Sequence, residues 1–347
     1  MIEVPGDILE GGGQILRTSV SLAALLKTEV TIRNVRAKRT PPGFRPQHVT
    51  GVSTVAAISK ADVEGLQVGS TTLRFSPRER AGGDHRFDVG TAGSITLVLQ
   101  ALMPVSAFTD KPVRITIVGG TDVRWSPSVD YLRLVTLPNL ALTGYNATLT
   151  VEQRGHYPKG GGRVTFTATP VKHLNPLTLE GRGVVKRVQG ISHCVNLPRH
   201  VAERQAQAAE RVLKPALGDV AIDVEAGAGP GPGSGITLAA VPDSGTVLGS
   251  DSLGERGKPA EKVGEEAAFK LLEEVNSGMA LDRHMGDAVV PYLAVAKGKS
   301  TVTVSRITLH TVTNIRVIEL IAGVRFSSDE TLDKPGRISV EGLGLTI

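Results

Sequence analysis

Cysteine and aromatic residues are scarce in this chain. Phe, Trp and Tyr make up 3% of 347 residues, and Cys194 is the only thiol. One cysteine excludes an internal disulfide. Its setting, "GISHCVNLP", is apolar and strand-like, so a buried, inert thiol is expected rather than a nucleophile. With so few rings the core must be aliphatic, and the strand-borne aromatics of an RNA-reading RRM are missing. No apolar run approaches the roughly 18 residues of a membrane span. The first residues, "MIEVPGDILEGGGQ", lack a basic region followed by an apolar one, so no secretory signal is expected. These absences predict a soluble, cytoplasmic protein without a membrane partner.

Familiar catalytic motifs are absent too. There is no H-E-x-x-H and no G-x-S-x-G elbow. The eight histidines are scattered, with no close pair at metal-ligand spacing. Two glycine-rich stretches fail as P-loops. In "RGHYPKGGGRV" Gly160 is followed by glycine, and "RVTFTATPV" beyond it alternates like a strand. In "GERGKPAEK" Pro259 stands where a Ser or Thr would hold magnesium. The first stretch still has two arginines, a lysine and a histidine, a set that looks built for phosphate, and Arg154, His156 and Lys159 would suit an RNA path. Its glycines equally suit a tight strand-to-strand connection with close backbone approach.

What is present is a hydrophobic content of 40%, enough for a real core, with 40 glycines and 20 prolines to turn the chain. A formal net charge of +5 is compatible with an anionic partner, and equally with none. The length allows two domains, or one with an insertion.

A repeat organises the sequence. "GDILEGGGQILRTSVSLAALLKTEVTIRNV", "FDVGTAGSITLVLQALMPVSAFTDKPVRITIVGG" and "DRHMGDAVVPYLAVAKGKSTVTVSRI" each run from a glycine turn through a helix to an alternating strand. Gln14, Ser94 and Asp287 align just after the turn. Helix capping explains the last two better than Gln14. Phosphate binding at helix starts is the competing reading. Arg17 replaces what is Leu97 or Val290 in the other repeats. Between the second and third repeats, from about Val185 to Gly278, lies a different composition. It predicts a small α/β unit with strands at "VQGISHCV", "VAIDVEA" and "GITLAAV". Its helices are predicted at "RHVAERQAQAAERVL" and "PAEKVGEEAAFKLLEEV".

At this point the residues resemble a known family, the RNA 3′-terminal phosphate cyclases. "EGGGQILR", "VGTAGSITLVLQ", "GGTDVRWSPSVDYL", "RGHYPKGGGRV", "PRHVAER" and "LGERGKPAEKVGEEAA" match its blocks in order, over Glu10 to about Arg325. The resemblance implies an α/β (α+β) fold. Residues 1–184 and 279–347 would form a large domain of three repeated α/β units, resembling the C-terminal domain of a translation initiation factor. Residues 185–278 would be an inserted, thioredoxin-like domain. The same repeated unit occurs in enolpyruvyl transferases, which are the fold-level rival. A cyclase-like protein of ribosome assembly, which lacks the catalytic histidine, is the rival without chemistry.

The activity implied is ATP-dependent conversion of an RNA 3′-phosphate to a 2′,3′-cyclic phosphodiester, with Mg2+ or Mn2+. Adenylation makes AMP the leaving group, and a histidine carries the AMP first. The family's nucleophile precedes a T-N dipeptide, here "ITLHTVTN", so it falls on His310. A strong anionic neighbour that charged this imidazole would be a handicap. Nucleotide-binding positions fall on Gln100 and on His284, Met285, Gly286, Asp287 and Ala288. Polar phosphate contacts fall on Gln14, Arg17, Arg36, Arg39 and Gln47, and a metal ligand on Glu10. Bacterial relatives often carry A-D-Q where this chain has Gly286, Asp287 and Ala288, so a glutamine side chain is missing. His284 stands where some relatives have tyrosine, and an imidazole can also stack on adenine. The partners implied are ATP and RNA ending in a 3′-phosphate. A homo-oligomer is compatible with the sequence.

Overall fold

Three stretches of the chain build the same small sheet. A computed structural model describes residues 1–329 and 331–347. In the first stretch β1 (Ile2–Pro5), α1 (Gly13–Leu26), β2 (Val30–Arg33), α2 (Pro46–Ser59), β3 (Asp62–Glu64) and β4 (Leu73–Ser76) give the order β1-β2-β4-β3. The first pair is parallel and the other two antiparallel. The second stretch opens with β5 (Gly83–Asp88), α3 (Ile95–Ser106) and β6 (Val113–Gly119). Next, α4 (Val129–Tyr131) passes through a π-helical turn (Leu132–Thr136) into α5 (Leu137–Ala141). With β7 (Asn146–Gln153) and β8 (Gly162–Thr169), the order is β5-β6-β8-β7.

The third stretch is interrupted. Its first strand, β9 (Thr178–Leu179), precedes a fourth sheet made of β10 (Val185–Val195), β11 (Val220–Gly227), β12 (Gly233–Pro242) and β13 (Leu248–Leu253). That sheet has the order β11-β10-β12-β13 and carries α6 (His200–Leu217) and α7 (Ala260–Asn276). The chain then returns with α8 (Arg283–Ala288), α9 (Val290–Val295), β14 (Lys299–Val304), α10 (Leu309–Ala322), β15 (Phe326–Ser328) and β16 (Gly336–Glu341). These pair with β9 in the order β9-β14-β16-β15. The fold is thus α+β, built of small mixed sheets and helices.

Burial explains where the helices sit. α1 is apolar almost all round, with Ile15, Leu16, Val20, Leu22, Ala23 and Leu25 inaccessible, so it takes the centre and touches α2, α3 and α10. α6 is one-sided. Ala202, Ala206, Ala209 and Leu213 are buried at helical spacing, while Arg204, Arg211 and Lys214 face out. The inner faces of α6 and α7 close a second aliphatic core over β10 and β12, with Val188, Leu238, Val263 and Leu271.

Several expectations are corrected. The helix of the third repeat is two helices, α8 and α9, with Pro291 opening the second. Ser94 does cap α3, accepting from the Leu97 amide at 3.2 Å. Asp287 caps nothing; Asp282 caps α8, accepting from the His284 and Met285 amides at 2.9 Å each. The glycine-rich loop does join β7 to β8, and a Cβ on Gly155 would stand 2.2 Å from the Gly162 nitrogen. Its Arg154 and His156 face inward rather than onto an RNA path. Arg154 Nη2 lies 2.7 Å from both Asp130 and Glu225, while Tyr157, Pro158, Lys159 and Arg163 are exposed. Cys194 is buried, as expected, and burial raises its pKa.

α6 and α7 touch where α7 has no side chain. A Cβ on Gly264 would meet the Gln205 carbonyl oxygen at 2.1 Å, which is backbone and cannot swing away. Gly264→Ala should therefore destabilise the fold by about 1–3 kcal/mol. A urea denaturation curve checks this, and an unchanged midpoint would contradict the packing described.

Candidate functional site

Two turns deliver the chemistry. The segment Glu10 to Gly13 enters α1 with glycines because each lies against another group. A Cβ on Gly11 would strike the Lys38 side chain, one on Gly12 the Glu10 carboxylate at 2.7 Å, and one on Gly13 the His48 imidazole at 2.6 Å. The second turn is the start of α10, capped by Thr308, whose side chain accepts from the Thr311 amide at 3.1 Å. That cap places His310 in the first turn of α10, with its side chain half exposed.

The turns meet at Glu10. His310 Nδ1 lies 3.1 Å from Glu10 Oε2, and Arg39 Nη2 lies 2.9 Å from the same oxygen. The Glu10 side chain is only 4% accessible, while its partners His310 and Arg39 are about half exposed. The anionic neighbour that would handicap His310 is therefore present, but it is shared with a guanidinium. Glu10 Oε1 is buried and has no hydrogen-bond partner among the described residues.

Asp287 approaches from α8. Asn314, one turn beyond His310, donates Nδ2 to the Asp287 carbonyl at 2.9 Å and to its Oδ1 at 3.2 Å. Thr18 Oγ1 in turn donates to Asn314 Oδ1 at 2.5 Å. Burial raises the Asp287 pKa, against the opposing pull of His310 and Arg17. Arg17 Nη2 donates to Gln14 Oε1 at 2.7 Å, while its buried Nε has no partner among the described residues.

Gln14, Arg17, Gln100, Asp287 and Ala288 line one cleft, with about 470 Å³ of empty space. Its far wall is Thr136 and Leu140, from the π-helical turn and α5; such turns recur at functional sites. Arg17 also borders a smaller cavity of about 230 Å³ shared with Gln47 and His48.

Other predicted residues do different jobs. Gln47 Oε1 accepts from the Ser94 amide at 2.8 Å and so ties α2 to the start of α3. Arg36 Nη1 donates to the carbonyls of Pro41 and Gly43 at 3.0 and 2.7 Å, holding the loop that presents Arg39. Met285 is in the core, so only its backbone is free to face a ligand. Gly286 is a packing glycine, since a Cβ there would meet Val304 at 2.8 Å. His284 is exposed and meets Tyr131 edge-on, with ring centroids 5.8 Å apart.

Sequence reading missed His48, Thr18 and Asn314. His48 reports the local field: burial first, then Arg17, Arg36 and Arg45, push its pKa down to about 3. Burial alone would refuse charge of either sign; the part due to the three guanidiniums is what favours an anion nearby. Asn314 had a signal, since four residues from His310 on a helix puts both on one face.

A buried carboxylate shared by a histidine and an arginine, with Arg17 at a neighbouring cleft, suits a protein that handles phosphate groups. Comparison with known proteins agrees. Residues 8–328 match the family described as RNA 3′-terminal phosphate cyclase. The proteins of that name from Hyperthermus butylicus and Pyrobaculum aerophilum are 52% and 48% identical. The alignments cover 99% of this chain in both cases, with 98% and 99% of the relatives. The one from Ignicoccus hospitalis is 49% identical, with 99% of each chain covered. The chain belongs to the RNA 3′-terminal phosphate cyclase family.

The His48 shift has a consequence for stability. Below the ordinary 6.5 the unfolded chain takes up a proton that native His48 refuses down to about 3. Its contribution is complete above pH 6.5 and is lost as pH falls toward 3. Over that window it should add a slope of about 1.4 kcal/mol per pH unit. Denaturation between pH 7 and 4 should show a flatter profile in His48→Gln, and equal slopes would contradict the assignment.

Proposed function

We propose that this chain converts an RNA 3′-terminal phosphate to a 2′,3′-cyclic phosphodiester, using ATP and an adenylated His310. The observation that carries this reading is the 3.1 Å approach of His310 Nδ1 to Glu10. A carboxylate at Nδ1 orients the ring and leaves Nε2 for attack, the logic by which an acid positions a catalytic imidazole. Arg39 holds the same Glu10 oxygen at 2.9 Å, so the carboxylate is shared between the guanidinium and the ring.

In the first step Nε2 forms a bond to the α-phosphorus of ATP, and diphosphate leaves. In the second, an oxygen of the RNA 3′-phosphate attacks that phosphorus, the N–P bond breaks, and an RNA-adenylate results. In the third, the 2′-hydroxyl loses its proton and attacks the terminal phosphorus of the RNA, expelling AMP. Arg17 and Arg39 are placed to offset charge on the phosphates. Gln100, Asp287 and Ala288 bound the cleft in which the nucleotide would lie, with His284 and the backbone of Met285 and Gly286 at its α8 side. Glu10 Oε1, a buried oxygen without a partner among the described residues, fits a hard cation such as Mg2+ or Mn2+. Bound there, the ion supplies positive charge beside the triphosphate.

The three sheets of like strand order support reading residues 1–184 and 279–347 as one domain of repeated units, like those of the initiation factor's C-terminal domain. The fourth sheet, β11-β10-β12-β13, with its own aliphatic core supports reading 185–278 as an inserted, thioredoxin-like domain.

Incubation with α-labelled ATP and a divalent metal should yield an acid-labile protein adduct, absent in His310→Ala. Glu10→Ala should slow adduct formation by about 100-fold, the scale of losing an electrostatic or orienting group. A 3′-phosphorylated oligonucleotide should be cyclised, and a 3′-hydroxyl control should not. Wild-type protein that forms no adduct with either metal would overturn the mechanism.

A further inference from the structure

The scattered histidines converge far from His310 in the chain. Asp122 follows β6, His156 lies in the β7–β8 loop and His193 is on β10, yet one ligand atom from each falls within 4.8 Å of the others. All three are buried, with exposures of 2%, 5% and 1%. Their bonding is incomplete. Asp122 Oδ1, His156 Nε2 and both ring nitrogens of His193 are buried and have no hydrogen-bond partner among the described residues. Orphaned polar atoms of this kind are rare in a folded interior, and three residues that carry them and bring one ligand atom each to the same place call for a shared partner.

We propose that Asp122, His156 and His193 bind a divalent transition-metal ion of the zinc class. Two imidazoles and one carboxylate are the donor set such ions favour over magnesium or calcium. The neighbouring cation does not fill the role. Arg154 is held by Asp130 and Glu225 at 2.7 Å each, and reaches Asp122 only at 3.4 Å, through Oδ2. Thr121 donates to that same Oδ2 at 2.7 Å, so Oδ1 is left over. Strand β12 gives the rings room. A Cβ on Gly233 would fall 2.1 Å from His156 Cγ, and one on Gly235 would fall 3.1 Å from His193 Cε1. Bonds of about 2.0–2.1 Å put tetrahedral donor atoms roughly 3.3 Å apart, so the three side chains close on the ion by about an ångström of rotation. Asp130 Oδ2, 3.9 Å from His193 Nδ1, is the nearest further carboxylate.

The site shares no residue with Glu10, Arg39 and His310. It joins the sheet of β6 and β8 to the sheet of β10, so its role is to clamp those two sheets together.

The test uses the full chain, stripped with chelator, loaded with zinc or cobalt(II) without ATP, and passed through gel filtration. About one zinc per chain should be retained by wild type and by His310→Ala. Zinc should also raise the melting temperature. His156→Gln and His193→Gln should bind cobalt(II) at least tenfold more weakly and lose its visible absorption band. Wild type that retains no zinc overturns the proposal, as does equal retention by both glutamine variants. Should the variants not fold, wild-type crystals soaked in zinc decide the matter. An anomalous peak bonded to the three side chains supports the site, and an ordered water there, or a peak elsewhere alone, overturns it.

Discussion

The contact of α1 with α10 is the constraint on which the candidate site rests. It is fixed by a short polar chain, Thr18 to Asn314 to Asp287, that crosses 296 residues of sequence in its first link. Thr18 and Asn314 are almost inaccessible, 4% and 1%. A buried polar chain is favourable only when each member finds its partner, so it accepts one arrangement of the helices and penalises the rest. A second link, from the Glu10 amide to Thr313 Oγ1 at 3.4 Å, adds to the same junction. The first and third sheet-forming stretches are thereby held so that a carboxylate from one lies under a histidine from the other.

Charge is distributed to match. Glu10 and Asp287 are the acids, and Arg17, Arg36, Arg39 and Arg45 are the surrounding bases. One acid and one base are incompletely engaged: among the described residues Glu10 keeps Oε1 free, and Arg17 keeps Nε free. Such incompleteness costs stability in an isolated protein, since desolvated groups are left unsatisfied. It is the arrangement expected where a charged ligand completes the set. Burial, then the nearby Arg17, Arg36 and Arg45, lower the His48 pKa, so these guanidiniums lie close enough to add positive charge beside the site.

Much of the fold was legible in the sequence, because period and punctuation carry it. The helices of the three repeats and the strand after the glycine-rich loop follow from apolar spacing. The second helix of each repeat was harder. α2 and α10 are short on one-sided pattern because both are largely enclosed, and α4 to α5 is interrupted by its π-helical turn. β9 could not be placed, since two residues carry no period and their partner β14 lies over a hundred residues on. Individual side chains were legible only through resemblance. His310 has no local signal of chemistry, and its approach to Glu10 is a property of the folded junction. Arg154 misled for the same reason: a basic loop reads as surface, and only the fold shows that Asp130 and Glu225 have drawn its arginine inside. The histidines at 156 and 193 have no metal-ligand spacing along the chain, because two different sheets bring them together.

The central claim is that the α1–α10 junction, rather than His310 alone, sets the chemistry. The most direct measurement is the rate of protein adenylation in Asn314→Ala, alongside its melting temperature and the adduct of wild type. Asn314 stands one turn from His310, the proposed nucleophile, and is bonded to Thr18 and Asp287. The expected result is a folded protein whose adenylation is slowed at least tenfold. A folded Asn314→Ala protein adenylated at the wild-type rate would contradict the claim.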